Sequence, residues 1–276
     1  MIKQAVKRLI LLMKQEKKVP VVQAVSDSKL LDGKTALITG GSSGIGLAIA
    51  KAFIASGARV IICGTNQAKL DKAVSDIDCE AVKGMICNVR DVNALPEKVE
   101  QASKIFAEGR IDILVNSAGL TSAHNFWTTD ERDYDSLMET NAKGTFFMSQ
   151  AVAMHMIEKK IKGHILNISS ASAMRPAWTP YQMSKWAVKG FTLGLADTLL
   201  PYGIIVNAIA PGQTATPMLN VDAHENIDNT SVPIKRYILP EEIASLAVFM
   251  VSGAGDAIVG DTFYMTGGSG IISLHS

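Results

Sequence analysis

Lys34-Thr35-Ala36-Leu37-Ile38-Thr39-Gly40-Gly41-Ser42-Ser43-Gly44-Ile45-Gly46 opens the regular part of the chain, and its reading decides the fold. The apolar run Thr35–Thr39 suits a strand, the glycine cluster a tight turn, and Gly46–Ser56 carries a helical pattern. The same alternation continues. Further strands are expected at Arg59–Cys63, Met85–Val89, Ile111–Asn116, His164–Ser169, Ile204–Ile209 and Thr262–Met265. Helical patterns fill the gaps at Gln67–Asp76, Val92–Ala107, Tyr134–Lys159, Tyr181–Leu200 and Glu241–Val251. Runs such as Val60-Ile61-Ile62 are hydrophobic without alternation, as a parallel sheet buried on both faces requires. With right-handed crossovers, the pattern predicts one doubly wound α/β domain: a seven-stranded parallel sheet with helices on both faces.

Two further features carry chemistry. In the first turn, Gly40 permits a sharp reversal, Gly44 lets backbone approach a phosphate closely, and Gly46 allows tight helix packing. The helix behind it offers free N–H groups and the positive end of its dipole, so strand, turn and helix together point to a nucleotide site. Far downstream, Tyr181-Gln182-Met183-Ser184-Lys185 sets a phenol and an ammonium four residues apart on one helix face. A tyrosine titrates near ~10 and must fall by roughly 2–3 units to move a proton near neutrality. One cation at about 4 Å, in an effective dielectric of about 20, supplies the required 3–4 kcal/mol or so. Alone the pair would be a surface aromatic beside a solvated lysine. With a phosphate loop upstream and the strand end Ser169-Ser170 just before it, the pair points to hydride-transfer chemistry.

Bulk properties exclude several alternatives. A hydrophobic content of 47% with 19% charged residues supports a buried core, and a net charge of +1 offers no general attraction to nucleic acid. No run approaches the ~18 apolar residues of a membrane span. Cys63, Cys79 and Cys87 lack metal-ligand spacing; they read as thiols in a reducing cytosol, and neither a disulfide nor a metal is expected. No linker or repeat divides the main body, so residues 32–276 are expected to form one domain. Residues 1–31 form a basic, amphipathic extension, expected to pack on its own oligomer or stay mobile.

The ordered motifs make the chain resemble the short-chain dehydrogenase/reductase family. The glycine spacing Gly40-x-x-x-Gly44-x-Gly46 is that family's, and Asn116-Ser117-Ala118-Gly119 is similar to its Asn-Asn-Ala-Gly element, with Ser117 in place of the second asparagine. Asn141, Asn167-Ile168-Ser169-Ser170, Tyr181–Lys185, Pro211-Gly212 and Thr266-Gly267-Gly268 follow in the family's order. The resemblance implies a Rossmann-like fold and an NAD(P)-dependent oxidoreductase acting on a ketone or secondary alcohol. It implies catalytic roles for Asn141, Ser170, Tyr181 and Lys185. Tyr181 is the general acid or base, Lys185 lowers its pKa and holds the nicotinamide ribose, and Ser170 bonds the substrate oxygen. Asn141 interrupts the long helix and holds a proton-relay water. It also implies cofactor contacts from Gly40, Ser42, Ser43, Gly44, Ile45 and Gly46, from Gly64, Thr65 and Asn66, and from Asn88 and Val89. Asn116, Ala118, Gly119, Tyr181, Lys185, Pro211, Gly212, Thr214 and Thr216 complete that set.

Four departures stand out. Gly64 occupies the place where NAD-binding relatives carry an acid and Thr65 the place where many NADP users carry arginine, so the cofactor is expected to be NADP, with NAD the alternative. Asn88-Val89 replaces Asp-Val beside the adenine. Only ten residues separate Ser170 from Tyr181, so Ala171–Pro180 must close tightly. Ala173 and Met174 stand where a glycine is usual.

Substrate walls are expected from Leu120–Trp127, Ala171–Thr179 and Met218–Lys235, with Arg175, His124 and His224 the nearby ionisable groups. The substrate would be a 3-oxoacyl thioester, a sugar or polyol, or a hydrophobic ketone. A catalytically idle redox sensor is the alternative, disfavoured because all four catalytic positions are intact. Helices 134–159 and 181–200 are apolar on more than one side, and with the family's habit this predicts a homotetramer, placed in the cytoplasm.

Overall fold

The computed structural model describes residues 29–223 and 226–272; residues 1–28 of the amphipathic extension and His224 lie outside them, while Leu31 at its end is buried in the core with its N–H donating to Ser56 O. Among the described residues there are seven strands: β1 (Thr35–Thr39), β2 (Arg59–Gly64), β3 (Val82–Ile86), β4 (Ile113–Asn116), β5 (His164–Ile168), β6 (Ile205–Pro211) and β7 (Thr262–Met265). All pair in parallel in the order β3-β2-β1-β4-β5-β6-β7. The chain is therefore the doubly wound α/β fold expected, with its direction of winding reversing between β1 and β4. Ligands of such sheets bind at that reversal, beyond the strands' carboxyl ends.

Helices cover both faces: α1 (Gly44–Ala55), α2 (Gln67–Ile77), α3 (Leu95–Ser103), α4 (Glu131–Met138), α5 (Gly144–Glu158), α6 (Pro180–Leu199) and α7 (Pro240–Met250). Alternation along the strands divides the core. Ala36, Ile38, Val60 and Ile62 face α1, α2 and α7, whereas Leu37 and Ile61 face α3, α5 and α6.

Of the boundaries that differ from the sequence reading, three have a plain physical cause. Helix α1 starts at Gly44, because Ser43 is already extended and the turn ends there. The third strand lies earlier than Met85–Val89. It is an edge strand, so its ladder with β2 fixes Val82–Ile86 while Lys83 and Gly84 face solvent, and the apolar-run criterion fails. The long helix expected over 134–159 begins at Glu131, where Asp130 caps it, and is broken by a π-helical turn at Glu139–Lys143.

A row of buried polar side chains locks the strand ends in step. Thr39, Asn116 and Asn167 are register partners on β1, β4 and β5. Thr39 Oγ1 accepts from the backbone N–H of Ser117 and Ala118 at 3.2 and 3.1 Å. Asn116 Nδ2 donates to Asn167 Oδ1 at 2.9 Å and to Ser149 Oγ of α5 at 2.8 Å. Asn167 Nδ2 in turn donates to Thr192 Oγ1 of α6 at 3.0 Å. Hydrogen bonds between fully buried partners are costly to leave unmade, so the row holds two helices to the sheet's carboxyl edge.

Candidate active site

A cleft of about 860 Å³ runs along that edge. One end is the glycine turn. Gly40 has φ +65°, and a Cβ there would lie 2.8 Å from Ala118 Cα; a Cβ on Gly46 would lie 2.5 Å from the Gly40 carbonyl oxygen. Neither position tolerates a side chain, because the turn, the β4 end and α1 touch backbone to backbone. Gly41, which the sequence reading passed over, is as crowded, 2.7 Å from the Ile62 side chain. Gly44 differs: at φ +54° its Cβ position meets only Thr216, at 3.5 Å, so it faces the cleft.

Behind the turn, Ser43 makes no side-chain cap and the first turn of α1 holds no acid. The helix N-terminus therefore presents unsatisfied N–H groups to the cleft, as a phosphate needs. Ser42, Ser43, Ile45 and Gly46 line this stretch. Gly64, Thr65, Asn66, Lys69, Asn88 and Val89 line its far end. Asn66 Oδ1 caps α2 by accepting from Lys69 N at 2.9 Å, and Asn88 Oδ1 accepts from Arg90 N at 3.1 Å.

The other end gathers Ser170, Tyr181 and Lys185. Helix α6 begins one residue before Tyr181, fixed by Pro180 in its first turn and by a reciprocal cap: Thr179 Oγ1 accepts from Gln182 N, and Gln182 Oε1 from Thr179 N. The short Ala171–Pro180 connection closes through a 3-10 turn at Ala171–Met174, entered by Ser172 N donating to Ser170 Oγ at 3.1 Å. Ser170 Oγ also stands near enough to the Tyr181 phenol to favour its ionised form. Lys185 is almost fully buried; its Nζ donates to the Ile168 carbonyl at 2.9 Å and lies 5.9 Å from the Tyr181 ring centre.

The electrostatics correct one expectation. Burial pushes the Tyr181 phenol above its ordinary pKa, and the nearby Ser170 hydroxyl only partly offsets this. Tyr–Lys spacing alone accounts for a cation beside a solvated phenol but not for the cost of desolvating a phenolate. Lys185 moves down to about 8, because burial disfavours its ammonium. At neutral pH the site thus holds a protonated phenol beside a cation.

Asn141 sits in the π-helical turn and is buried. Its Oδ1 accepts from Leu120 N at 2.8 Å, and its Nδ2 donates to Leu120 O and Ser184 Oγ, each at 3.0 Å. A side chain added at Gly119 would come 3.5 Å from Asn141 Oδ1 and 3.7 Å from Lys185 Nζ, so the three groups adjoin. Asn116 and Ala118 stand at the β4 end, Asn116 within the polar row and Ala118 against Gly40. Pro211 and Gly212 end β6. Thr214 Oγ1 donates to Gly212 O, and Thr216 lines the cleft opposite Gly44.

The walls differ in part from expectation. Leu120, Arg175, Trp178 and Met218 line the cleft, but Phe126, Trp127, His124 and Met174 do not. A turn capped by Asn125, which accepts from Trp127 N at 2.9 Å, carries Phe126 and Trp127 to the surface. Ser184 and Ser269 went unnoticed in the sequence. Ser184 had one signal, its place between Tyr181 and Lys185; Ser269 had none.

A family model described as short chain dehydrogenase matches residues 34–226. The chain belongs to the short-chain dehydrogenase/reductase family. Gluconate 5-dehydrogenase of Gluconobacter oxydans is 36% identical over 246 residues, covering 86% of this chain and 95% of that protein. Among solved structures, a gluconate 5-dehydrogenase from Burkholderia cenocepacia in complex with NADP and tartrate superposes with a TM-score of 0.78 at 31% identity, over 88% of this chain and 97% of that one. A 3-ketoacyl-(acyl-carrier-protein) reductase from Brucella melitensis complexed with NADH gives 0.79 at 29% identity, over 88% and 100%. This dehydrogenase is accordingly an oxidoreductase of the family that acts on CH–OH groups. Substituting Gly46→Ala should leave secondary structure intact by circular dichroism but weaken dinucleotide binding at least tenfold in a nicotinamide-fluorescence titration, since the added methyl must displace the Gly40 carbonyl.

Proposed function

We propose that residues 32–276 form one catalytic domain that binds a nicotinamide dinucleotide, with its pyrophosphate at the N-terminus of α1, and interconverts a ketone with a secondary alcohol. The observation that carries this reading is the convergence in one cleft of an uncapped, acid-free helix N-terminus with Ser170, Tyr181 and Lys185. The glycine cradle fits such a group: where Gly40 and Gly46 forbid a side chain, Gly44 leaves its space to the cleft. When bound, the nicotinamide supplies or accepts the hydride.

The chain's own residues handle the proton. In reduction, Ser170 Oγ and Tyr181 Oη both bond the carbonyl oxygen, and Tyr181 Oη gives up its proton as that oxygen becomes a hydroxyl. Burial keeps the phenol protonated, which suits it as the acid. Lys185 Nζ offsets the charge left on the phenolate and offers donors to the nicotinamide ribose. Asn141 holds the Leu120 backbone and, through Ser184, the helix that carries Tyr181; its place beside Lys185 suits a water-borne proton relay.

NADP is favoured over NAD. No acid follows Gly64, so nothing at the β2 end repels a 2′-phosphate, and Thr65, Asn66 and Lys69 offer donors. Asn88 Oδ1 retains a lone pair for the adenine amino group. The substrate is a 3-oxoacyl thioester, a sugar or polyol, or a hydrophobic ketone, and the names of the relatives support the first two.

The outer faces of α5 and α6 support a homotetramer. Phe146, Met154, Trp186 and Leu193 are exposed there, with the Phe146 and Phe191 rings in contact, their centres 5.0 Å apart. A cytoplasmic location accords with the free thiols and with the lack, among the described residues, of any helix long and apolar enough to cross a membrane.

Tyr181→Phe should lower kcat for ketone reduction by about 10²–10⁴-fold while leaving dinucleotide affinity within a few-fold; equal turnover would defeat the mechanism. In the wild type, kcat/KM for reduction should hold steady below and fall above about pH 8, because the depressed Lys185 pKa means its ammonium is present below that value and lost above it. Titration should show tighter binding of NADPH than NADH, and Thr65→Asp should reverse that order. Light scattering of the eluting protein should give the mass of four chains, and a monomer would remove the packing argument.

A further inference from the structure

The chemical end of the cleft holds a cation that hydride transfer leaves unused. Lys69, Arg90, Arg175 and Lys185 line the cleft, and among the described residues no aspartate or glutamate does. Lys69 belongs to the far end, in the first turn of α2. Arg90 is neutralised by Glu139, and Lys185 is bonded to the Ile168 carbonyl. Arg175 stands five residues beyond Ser170, and its guanidinium has no ionic or hydrogen-bonding partner among the described residues.

Its position is nonetheless set. Arg175 O accepts from Trp186 Nε1 of α6 at 2.8 Å, and Arg175 N donates to Ser172 O at 3.3 Å. The guanidinium lies against Gly270: a Cβ there would be 3.0 Å from Nε and 3.2 Å from Nη2, and the backbone at φ +82° favours glycine. Ser269, the next residue back, lines the same cleft, and its hydroxyl is buried without a hydrogen-bond partner among the described residues. A guanidinium and a hydroxyl, both without partners among the described residues, thus lie on either side of the Gly270 backbone along the cleft, and neither belongs to the proposed dinucleotide contacts.

Taking the hydride-transfer reading as its basis, we infer that the substrate carries a carboxylate, bound by Arg175 with Ser269 beside it. A planar guanidinium matches the two oxygens of a carboxylate through parallel N–H···O bonds. A phosphate dianion would call for further cations, and the others line the opposite end or are already paired. A neutral ketose or hydrophobic ketone would leave Arg175 unmatched. Arg175 thereby sets specificity: it fixes the charged end of the substrate relative to Ser170 and Tyr181. Because the side chain is exposed, salt will weaken the interaction.

The test is calorimetric binding to the full protein saturated with NADPH. The probes are D-gluconate, sorbitol and sorbitol 6-phosphate, polyols on one six-carbon skeleton that do not react with reduced cofactor. Gluconate should bind about tenfold more tightly than sorbitol at low salt, and the gap should narrow at high salt. Arg175→Gln should remove the gap and leave sorbitol within twofold, Arg175→Lys should restore part of it, and NADPH affinity should be unchanged in both. Equal binding of gluconate and sorbitol, absence of gluconate binding, or tighter binding of the phosphate would overturn the carboxylate assignment while leaving hydride transfer standing. A loss of NADPH affinity in Arg175→Gln would overturn it by placing the residue in the cofactor site. Failure of the wild type to bind either dinucleotide would instead bring down the underlying reaction, and the assignment with it.

Discussion

The carboxyl ends of β1, β4 and β5 must finish level, and every feature of the cleft depends on that. The register pairs Thr39 with Asn116 and Asn116 with Asn167; Thr39 Oγ1 accepts from the backbone just beyond Asn116, and Asn116 bonds Asn167 side chain to side chain, so the three strand ends are tied in one row beneath the site. A slip of one residue in any strand would turn its polar member to the opposite face and strand its partners unpaired. Through this row the glycine turn on one side and α6 on the other are held by the same structure. The nucleotide end and the chemical end are thereby placed relative to each other without direct contact.

The fold was readable because parallel strands buried on both faces leave an unmistakable signature, and Val60-Ile61-Ile62 or Leu37-Ile38 could hardly be anything else. Where a strand departs from that condition, the reading slipped. β3 has one neighbour and an exposed flank, so Lys83 and Gly84 hide it from an apolar-run criterion that favours the later stretch around Cys87. The four catalytic candidates were legible as ordered motifs, and the structure gathers Ser170, Tyr181 and Lys185 at one point. What surrounds them was not legible. Ser269 meets the cleft only because β7 and the glycine turn after it bring the chain back. Phe126 and Trp127 leave the wall because Asn125 redirects the chain by a local side-chain bond.

Tyr181 shows the limit of reasoning pairwise from spacing. The i,i+4 relation with Lys185 was legible, but the price of burying a phenolate was not, since burial is a property of the whole fold. Both groups respond to the same desolvation in opposite directions of charge: the phenol rises and the ammonium falls. Each is thus biased toward its neutral form. The protein holds the phenol ready to donate, and it keeps enough charge on the lysine at neutral pH to matter.

The π-helical turn at Glu139–Lys143 has a consequence for insertions and deletions. It accommodates one residue more than an unbroken α-helix would need between α4 and α5. Removing one residue there would let the hydrogen bonds close regularly, and because the turn already absorbs the surplus, Met148, Val152 and Met156 of α5 would keep their face against the sheet. The change would be local: Asn141, which reaches Leu120 and Ser184 from that turn, would lose its place. A one-residue deletion in the segment should therefore spare the fold and disturb the site.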